Sequence, residues 1–205
     1  SCTLVALLCA RERTSAFSLA RAGLQAESEP LVVYVSSHSH SSVEKAALLA
    51  GFGRANIRII ATDGRYAMRP EVLAQAVRED LAAGRKPCAV VATSGTTTTT
   101  AFDPLDAIAA VAAEHGLWMH VLPECRALWA GIEGADSLVM NPHKWLGTAF
   151  DCSLYYVRDP QHLVRVMSTN PSYLQSAVDD RVKNLRDWGI PLGRRVRSLK
   201  LWCLV

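Results

Sequence analysis

A lysine stands between a histidine and a tryptophan in Asn141-Pro142-His143-Lys144-Trp145-Leu146, directly after the apolar run Ser137-Leu138-Val139-Met140. That run reads as a strand, so Lys144 is expected just past a strand's end, where water is scarce. Desolvation disfavours an ammonium and lowers a lysine pKa, which frees the lone pair for attack on a carbonyl. Such an amine can form a Schiff base with an aldehyde; the plain alternative is a surface lysine on a turn.

Two more polar clusters follow apolar runs in the same way. Leu31-Val32-Val33-Tyr34-Val35 delivers Ser36-Ser37-His38-Ser39-His40-Ser41-Ser42, and Cys88-Ala89-Val90-Val91-Ala92 delivers Thr93-Ser94-Gly95 and five threonines, Thr96 to Thr100. Hydroxyls and a glycine beside histidines and a lysine suit a phosphorylated aromatic ring, and pyridoxal phosphate joins such a ring to an aldehyde. Alone, the threonine tract reads as a β-prone loop.

The elements that must bring these clusters together alternate along the chain. Strands are expected at Leu31–Val35, Ile57–Ile60, Cys88–Ala92, Leu117–Val121, Ser137–Met140 and Cys152–Val157. Helices are expected from Thr3 to about Ala20, over Val43–Ala50 with Ser42 as cap, over Pro70–Ala83 closed by Gly84, and from Asp103-Pro104 to His115. Alternation of this kind predicts an α/β fold with a mostly parallel central sheet, its ligand site at the strands' carboxyl ends. All three polar clusters are then expected in one crevice.

Composition narrows the function classes. Half of the 205 residues are apolar and a fifth are charged, enough for a large buried core. A net charge of +3, from 22 basic against 19 acidic residues, is too small and too dispersed to predict a nucleic-acid partner. No apolar run reaches membrane-span length, so no membrane is expected. Six scattered cysteines without CxxC spacing predict buried free thiols and a cytoplasmic location. Ser1-Cys2-Thr3 opens as a helix cap and the chain stops within an apolar segment, so residues 1–205 are expected to be part of a longer protein.

Four segments together carry a resemblance. Ser39-His40-Ser41-Ser42-Val43-Glu44-Lys45-Ala46, Gly95-Thr96-Thr97-Thr98, Asn141-Pro142-His143-Lys144-Trp145-Leu146 and Trp188-Gly189-Ile190-Pro191-Leu192-Gly193-Arg194-Arg195 resemble the group II pyridoxal-phosphate decarboxylases. Among these the chain is most similar to the aromatic-L-amino-acid decarboxylases, which act on tyrosine, DOPA or tryptophan. The resemblance implies the fold type I architecture of aspartate aminotransferase, with residues 1–205 as its large cofactor-binding domain and the N-terminal segment and C-terminal small domain outside them. It implies pyridoxal phosphate as cofactor, decarboxylation of an aromatic L-amino acid to its amine, with an aldehyde synthase or a decarboxylase of another amino acid as the alternative, and a homodimer with active sites at the subunit interface. By the same resemblance Lys144 is the Schiff-base lysine, His40 stacks on the ring, and Thr97 lies beside it. Asn141 and His143 flank the lysine near the phosphate, Thr3 is the nearest match to the phosphate donors, and Tyr173 is the proton donor to Cα on a mobile loop. In relatives that make aldehydes the last position tends to be phenylalanine, so Tyr173 favours simple decarboxylation. Taken without the resemblance, Tyr173 reads as a surface aromatic after a proline turn.

The pattern breaks at one place. The family's aspartate for the cofactor's ring nitrogen follows His-Val within about ten small residues, whereas His120-Val121 here runs straight into Leu122-Pro123-Glu124-Cys125-Arg126. Either the stretch is deleted, which predicts a crippled catalyst or a non-catalytic binding homologue, or the sequence omits residues that belong there. Asp103 and Glu124 are nearby acids, but neither matches the position, and Asp103 is expected to cap the helix it begins. His38 and His40 have no third ligand at metal spacing, so no metal is expected. The basic cluster Arg194, Arg195, Arg197 and Lys200 reads as a helix-start and interface feature rather than a nucleic-acid patch, since Leu192, Val196 and Leu199 lay an apolar face between its members.

Overall fold

The computed structural model describes residues 2–123, 129–169, 172–175, 179, 181–193 and 195–204. Six strands form one sheet: β1 (Leu31–Ser36), β2 (Ile57–Ile60), β3 (Lys86–Ser94), β4 (Trp118–Pro123), β5 (Ser137–Met140) and β6 (Leu154–Val157). Their spatial order is β2-β1-β3-β4-β5-β6; the first five run parallel and β6 is antiparallel. β1 and β3 are buried along nearly their whole length. That burial explains why Leu31–Val35 and Cys88–Ala92 read as continuous apolar runs instead of alternating ones.

Helices cover both faces. On one side α1 (Cys2–Thr14), α3 (Ser41–Leu49) and α7 (Pro160–Met167) pack Leu7, Val43, Ala47 and Leu163 against Val33, Val91 and Trp118. On the other side α4 (Pro70–Ala82) and α5 (Leu105–His115) pack Leu73, Val77, Leu105 and Ile108 against Val32, Val90, Met119 and Val121. Each fully buried aliphatic side chain here contributes about 1.5–3 kcal/mol. The α/β class and the mostly parallel sheet are as the sequence predicts. The described residues also form three short helices, α2 (Ser18–Ala22), α6 (Pro142–Trp145) and α8 (Ser198–Trp202).

Several local expectations are corrected. The helix expected from Thr3 to Ala20 breaks after Thr14, because Ala16 and Phe17 take left-handed φ values of 49° and 62°. Ser15 and Phe17 instead donate backbone N–H groups to Arg11 and Glu12 oxygens, ending α1 in a turn. α3 is capped by the His40 side chain, which accepts the Ser42 N–H, and not by Ser42. Asp103 does not cap α5: its carboxylate accepts N–H bonds from Met68 (2.7 Å) and Thr93 (2.8 Å), lashing the end of β3 to the segment before α4. Helix α7 was not expected from the sequence. Among the cysteines, Cys9, Cys88 and Cys152 are buried and free, but Cys2 is partly exposed and Cys203 exposed, while Cys125 lies outside the described residues.

Candidate active site

Strand order reverses between β1 and β3, since the chain leaves β1 for one edge and returns to build β3 on its other side. In open α/β sheets the crevice beyond the carboxyl ends at such a switch point is the ligand site. A cavity of about 530 Å³ lies there. Its walls are the turn after β1 (His38 to Ser42), the loop after β3 (Gly95 to Thr98), the start of α1 (Cys2, Thr3) and the turn after β5 (Asn141, Lys144). Thr93, Leu122 and Val139, one from each central strand, also line it.

Lys144 enters on α6, a single turn begun by Pro142, whose missing N–H costs nothing at a first helical position. Its side chain is exposed to the crevice, which corrects the expectation that water would be scarce around it. Ser153 on the strand side of β6 donates to the Asn141 Oδ1 at 2.6 Å and holds that amide at the crevice wall. Nothing in the sequence pairs residues 141 and 153; the antiparallel return of β6 does.

His40 projects from the N-terminus of α3 with its ring orientation fixed. Its Nδ1 accepts the Ser42 N–H at 3.2 Å and meets the Ser42 Oγ at 2.8 Å. An acceptor Nδ1 leaves the hydrogen of the neutral ring on Nε2. His38 lines the same wall and is set edge-on against Tyr66, ring centroids 4.9 Å apart. Gly95, at a φ of 100°, turns the chain out of β3, and Thr96 folds the loop back by accepting the Ala101 N–H at 3.0 Å. That places Thr97 and Thr98 on the crevice wall.

Lys144, His40, Thr97, Asn141 and Thr3 therefore share one cavity. Two other expected site residues do not line it. His143 turns away: its Nδ1 takes the Cys152 N–H at 3.1 Å, and its ring packs edge-on against Phe150 at 5.0 Å. Tyr173 sits on a 3-10 turn, Ser172–Leu174, with its side chain 76% exposed. Sequence reasoning passed over Cys2, Leu122 and Val139, whose apolar or core-like settings carry no chemical signal. Among the described lining residues none is acidic, so the crevice favours an anionic ligand group.

A second depression of about 670 Å³ lies beside the loop at Thr99 to Phe102. Three of its charged groups are already engaged, Arg69 with Glu71 at 2.7 Å and Asp63 with the Arg65 and Ala67 N–H groups. It holds no amine or imidazole to match Lys144 and His40. Among the described residues no group of three or more His, Cys, Asp or Glu could hold a metal ion, and no helix is long and apolar enough to cross a membrane.

Comparison with known proteins places this geometry. The family model described as the pyridoxal-dependent decarboxylase conserved domain matches residues 1–205. The chain is 44% identical to phenylacetaldehyde synthase of Arabidopsis thaliana, over 98% of this chain and 43% of that protein. It is 42% identical to aromatic-L-amino-acid decarboxylase of Bos taurus, over 98% of this chain and 44% of that protein. Among solved structures, Oryza sativa TDC with PLP and tryptamine superposes with a TM-score of 0.90 at 39% identity, covering 99% of this chain and 44% of that one. The chain thus spans less than half the length of these relatives. The Arabidopsis alignment runs over 216 residues against 205 here, so that relative carries residues this chain lacks.

Proposed function

The chain belongs to the pyridoxal-dependent decarboxylase family and has its fold type I sheet, and from that premise we propose that the protein removes the α-carboxylate of an aromatic L-amino acid, releasing the amine and carbon dioxide. The observation that carries this reading is the single crevice at the β1/β3 switch point, which brings Lys144, His40 and Thr97 together from three separate loops. Lys144 supplies the amine that anchors the cofactor's aldehyde. His40 offers a flat ring face held by Ser42, and the hydroxyls of Thr3, Ser39 and Thr97 offer donors to a phosphate. Bound there, pyridoxal phosphate supplies the electron sink for the pair left on Cα when carbon dioxide departs. The Asn141 amide, steadied by Ser153, faces the same space and can orient a bound carboxylate.

Tyr173 is the proton donor to Cα in this reading. Its exposed turn lies off its own crevice, which suits a loop that closes over a site or reaches the crevice of a second copy in a homodimer. The likeness to phenylacetaldehyde synthase favours one rival specifically, an aldehyde-forming reaction that also consumes oxygen and releases peroxide and ammonia. Carbon dioxide, amine, peroxide and ammonia measured side by side on tyrosine, DOPA, phenylalanine and tryptophan separate the two. Amine in step with carbon dioxide is the expected result, and peroxide in step with it sinks simple decarboxylation. Borohydride treatment followed by peptide mass analysis is expected to place the pyridoxyl label on Lys144. Tyr173→Phe is expected to cut amine release at least about tenfold and divert product toward the aldehyde.

A further inference from the structure

Pyridoxal phosphate asks four things of a site: an amine for the aldehyde, donors for the phosphate, a cover for the ring face, and a charged partner for the ring nitrogen, commonly Asp or Arg. The crevice answers the first three with Lys144, its hydroxyls and His40. Among the described residues the fourth is not answered by a charge. The floor is made by Thr93 of β3, Leu122 of β4 and Val139 of β5. Thr93 and Leu122 are direct partners in the β3/β4 ladder, and Leu122 lies one residue past the Val121–Leu138 pair that joins β4 to β5. Leu122 packs on the same face as Val91 and Trp118, so its side chain, and not a carboxylate, is what β4 presents to a ring lying on the sheet's end.

The layer below offers no charge either. Two residues back on the same face stand His120 and Ser137, joined Nδ1 to Oγ at 2.9 Å. Burial pushes the His120 pKa down to about 4, so it is neutral when the crevice is at physiological pH. A buried carboxylate does stand at this end of the sheet, Asp103, but its two oxygens are taken by the Met68 and Thr93 N–H groups. Among the described lining residues the ionisable groups are Cys2, His38, His40 and Lys144, and none is an anion that would hold a pyridinium proton.

We propose that this chain binds pyridoxal phosphate with its ring nitrogen unprotonated, over a floor of Leu122 and Val139 carbon, and rests this on the reading that Lys144 anchors the cofactor. An uncharged ring accepts less of the negative charge left on Cα. Decarboxylation by the wild-type chain is therefore expected to be slow. Leu122 is the residue that sets the limit, and an acid in its place relieves it.

The test uses the full chain reconstituted with pyridoxal phosphate carrying nitrogen-15 in the ring. The nitrogen resonance is expected at the neutral-pyridine position across the neutral pH range in the wild type. In Leu122→Asp it is expected to move to the pyridinium position, with amine release rising about tenfold or more. Leu122→Asn, which adds polarity without charge, is expected to leave the resonance where it was. A wild-type pyridinium resonance overturns the proposal whatever the variants do. If Glu124→Gln then abolishes that resonance, Glu124, outside the described residues, is the partner instead. Borohydride labelling keeps the two layers apart. Label on Lys144 with a pyridinium resonance removes this proposal alone, whereas no label on Lys144 removes the anchoring reading and this proposal with it.

Discussion

His120 shows how much a single buried ring can weigh. It is fully buried beneath the crevice floor, with Nδ1 on the Ser137 hydroxyl, which also accepts the Trp118 Nε1–H at 2.8 Å. Among the described residues its Nε2 has no partner, so protonating the ring would bury a charge with none of them to answer it. In the unfolded chain the imidazole takes its proton near pH 6.5, but folded His120 does so only near 4. Between those values the unfolded state binds more protons, so this contribution to stability is complete above about pH 6.5 and drains away as pH falls through the window. The loss amounts to roughly 3 kcal/mol by pH 4, at 1.36 kcal/mol per unit. Urea midpoints measured from pH 7 down to about 4.5 are expected to fall more steeply for the wild type than for His120→Gln, which cannot titrate; parallel curves would mean that His120 is not the group. Asp103 is the converse at the same end of the sheet. Burial raises its pKa although two backbone N–H bonds oppose the shift, so the carboxylate is kept for its geometry at a cost in solvation.

Elements were legible where a local signal and the tertiary environment agree. Ile57–Ile60 and Ser137–Met140 match the expected strands residue for residue, both being short, largely apolar runs of strand length. Pro70 and the glycine after Ala83 fixed α4 in the same way. The sequence did not show that α1 would stop at Thr14, because the apolar pattern continues through Phe17 and only a pair of left-handed residues ends it. Helix α7 carried a signal that went unread, Asp159 before Pro160, whose carboxylate accepts the Gln161 and His162 N–H groups. The antiparallel direction of β6 has no local signature at all. Nor does the clamp between α8 and the turn after Lys144. The Lys200 ammonium donates to the carbonyls of Ala149 (3.3 Å), Phe150 (2.9 Å) and Asp151 (3.4 Å), and Arg195 and Arg197 pair with the Asp151 carboxylate at 3.4 and 3.2 Å. Phe150 and Cys152 in that segment hold His143, the neighbour of Lys144. So Arg195 and Arg197, just before α8, and Lys200 within it also act as a carbonyl and carboxylate clamp. Lys200→Met is expected to loosen the segment and weaken cofactor affinity about tenfold, the equivalent of about 1.4 kcal/mol, with Lys200→Arg recovering part of it. Fluorescence titration with pyridoxal phosphate reads this directly, and unchanged affinity in Lys200→Met would show that the clamp does not reach Lys144.

At the scale of the molecule, five parallel strands aim their carboxyl ends at one place, and the turns that meet there come from distant parts of the sequence. The α/β class could be read from alternation alone, and three polar clusters at strand ends were enough to anticipate one crevice. Which residues face it could not be read. His143 adjoins Lys144 in sequence yet points off the crevice, whereas Cys2 and Ser153 reach it from distant parts of the chain. A site assembled this way joins α1, α3, β3 and α6, so a ligand bound in it ties together elements from four separate parts of the chain. Binding to the native state alone adds about 2.7 kcal/mol when free ligand stands at 100 times its dissociation constant. For a chain of this size each kcal/mol moves the unfolding midpoint about 2–4 °C, so saturating pyridoxal phosphate is expected to raise it by about 5–10 °C. Lys144→Ala removes the covalent anchor but leaves the hydroxyls and His40, so its shift is expected to be smaller at equal cofactor and to vanish first on dilution. Calorimetry of both proteins with and without cofactor decides the matter. An equal shift in Lys144→Ala would mean that the stabilising site is not this crevice, and the wider depression beside Thr99 would become the place to look.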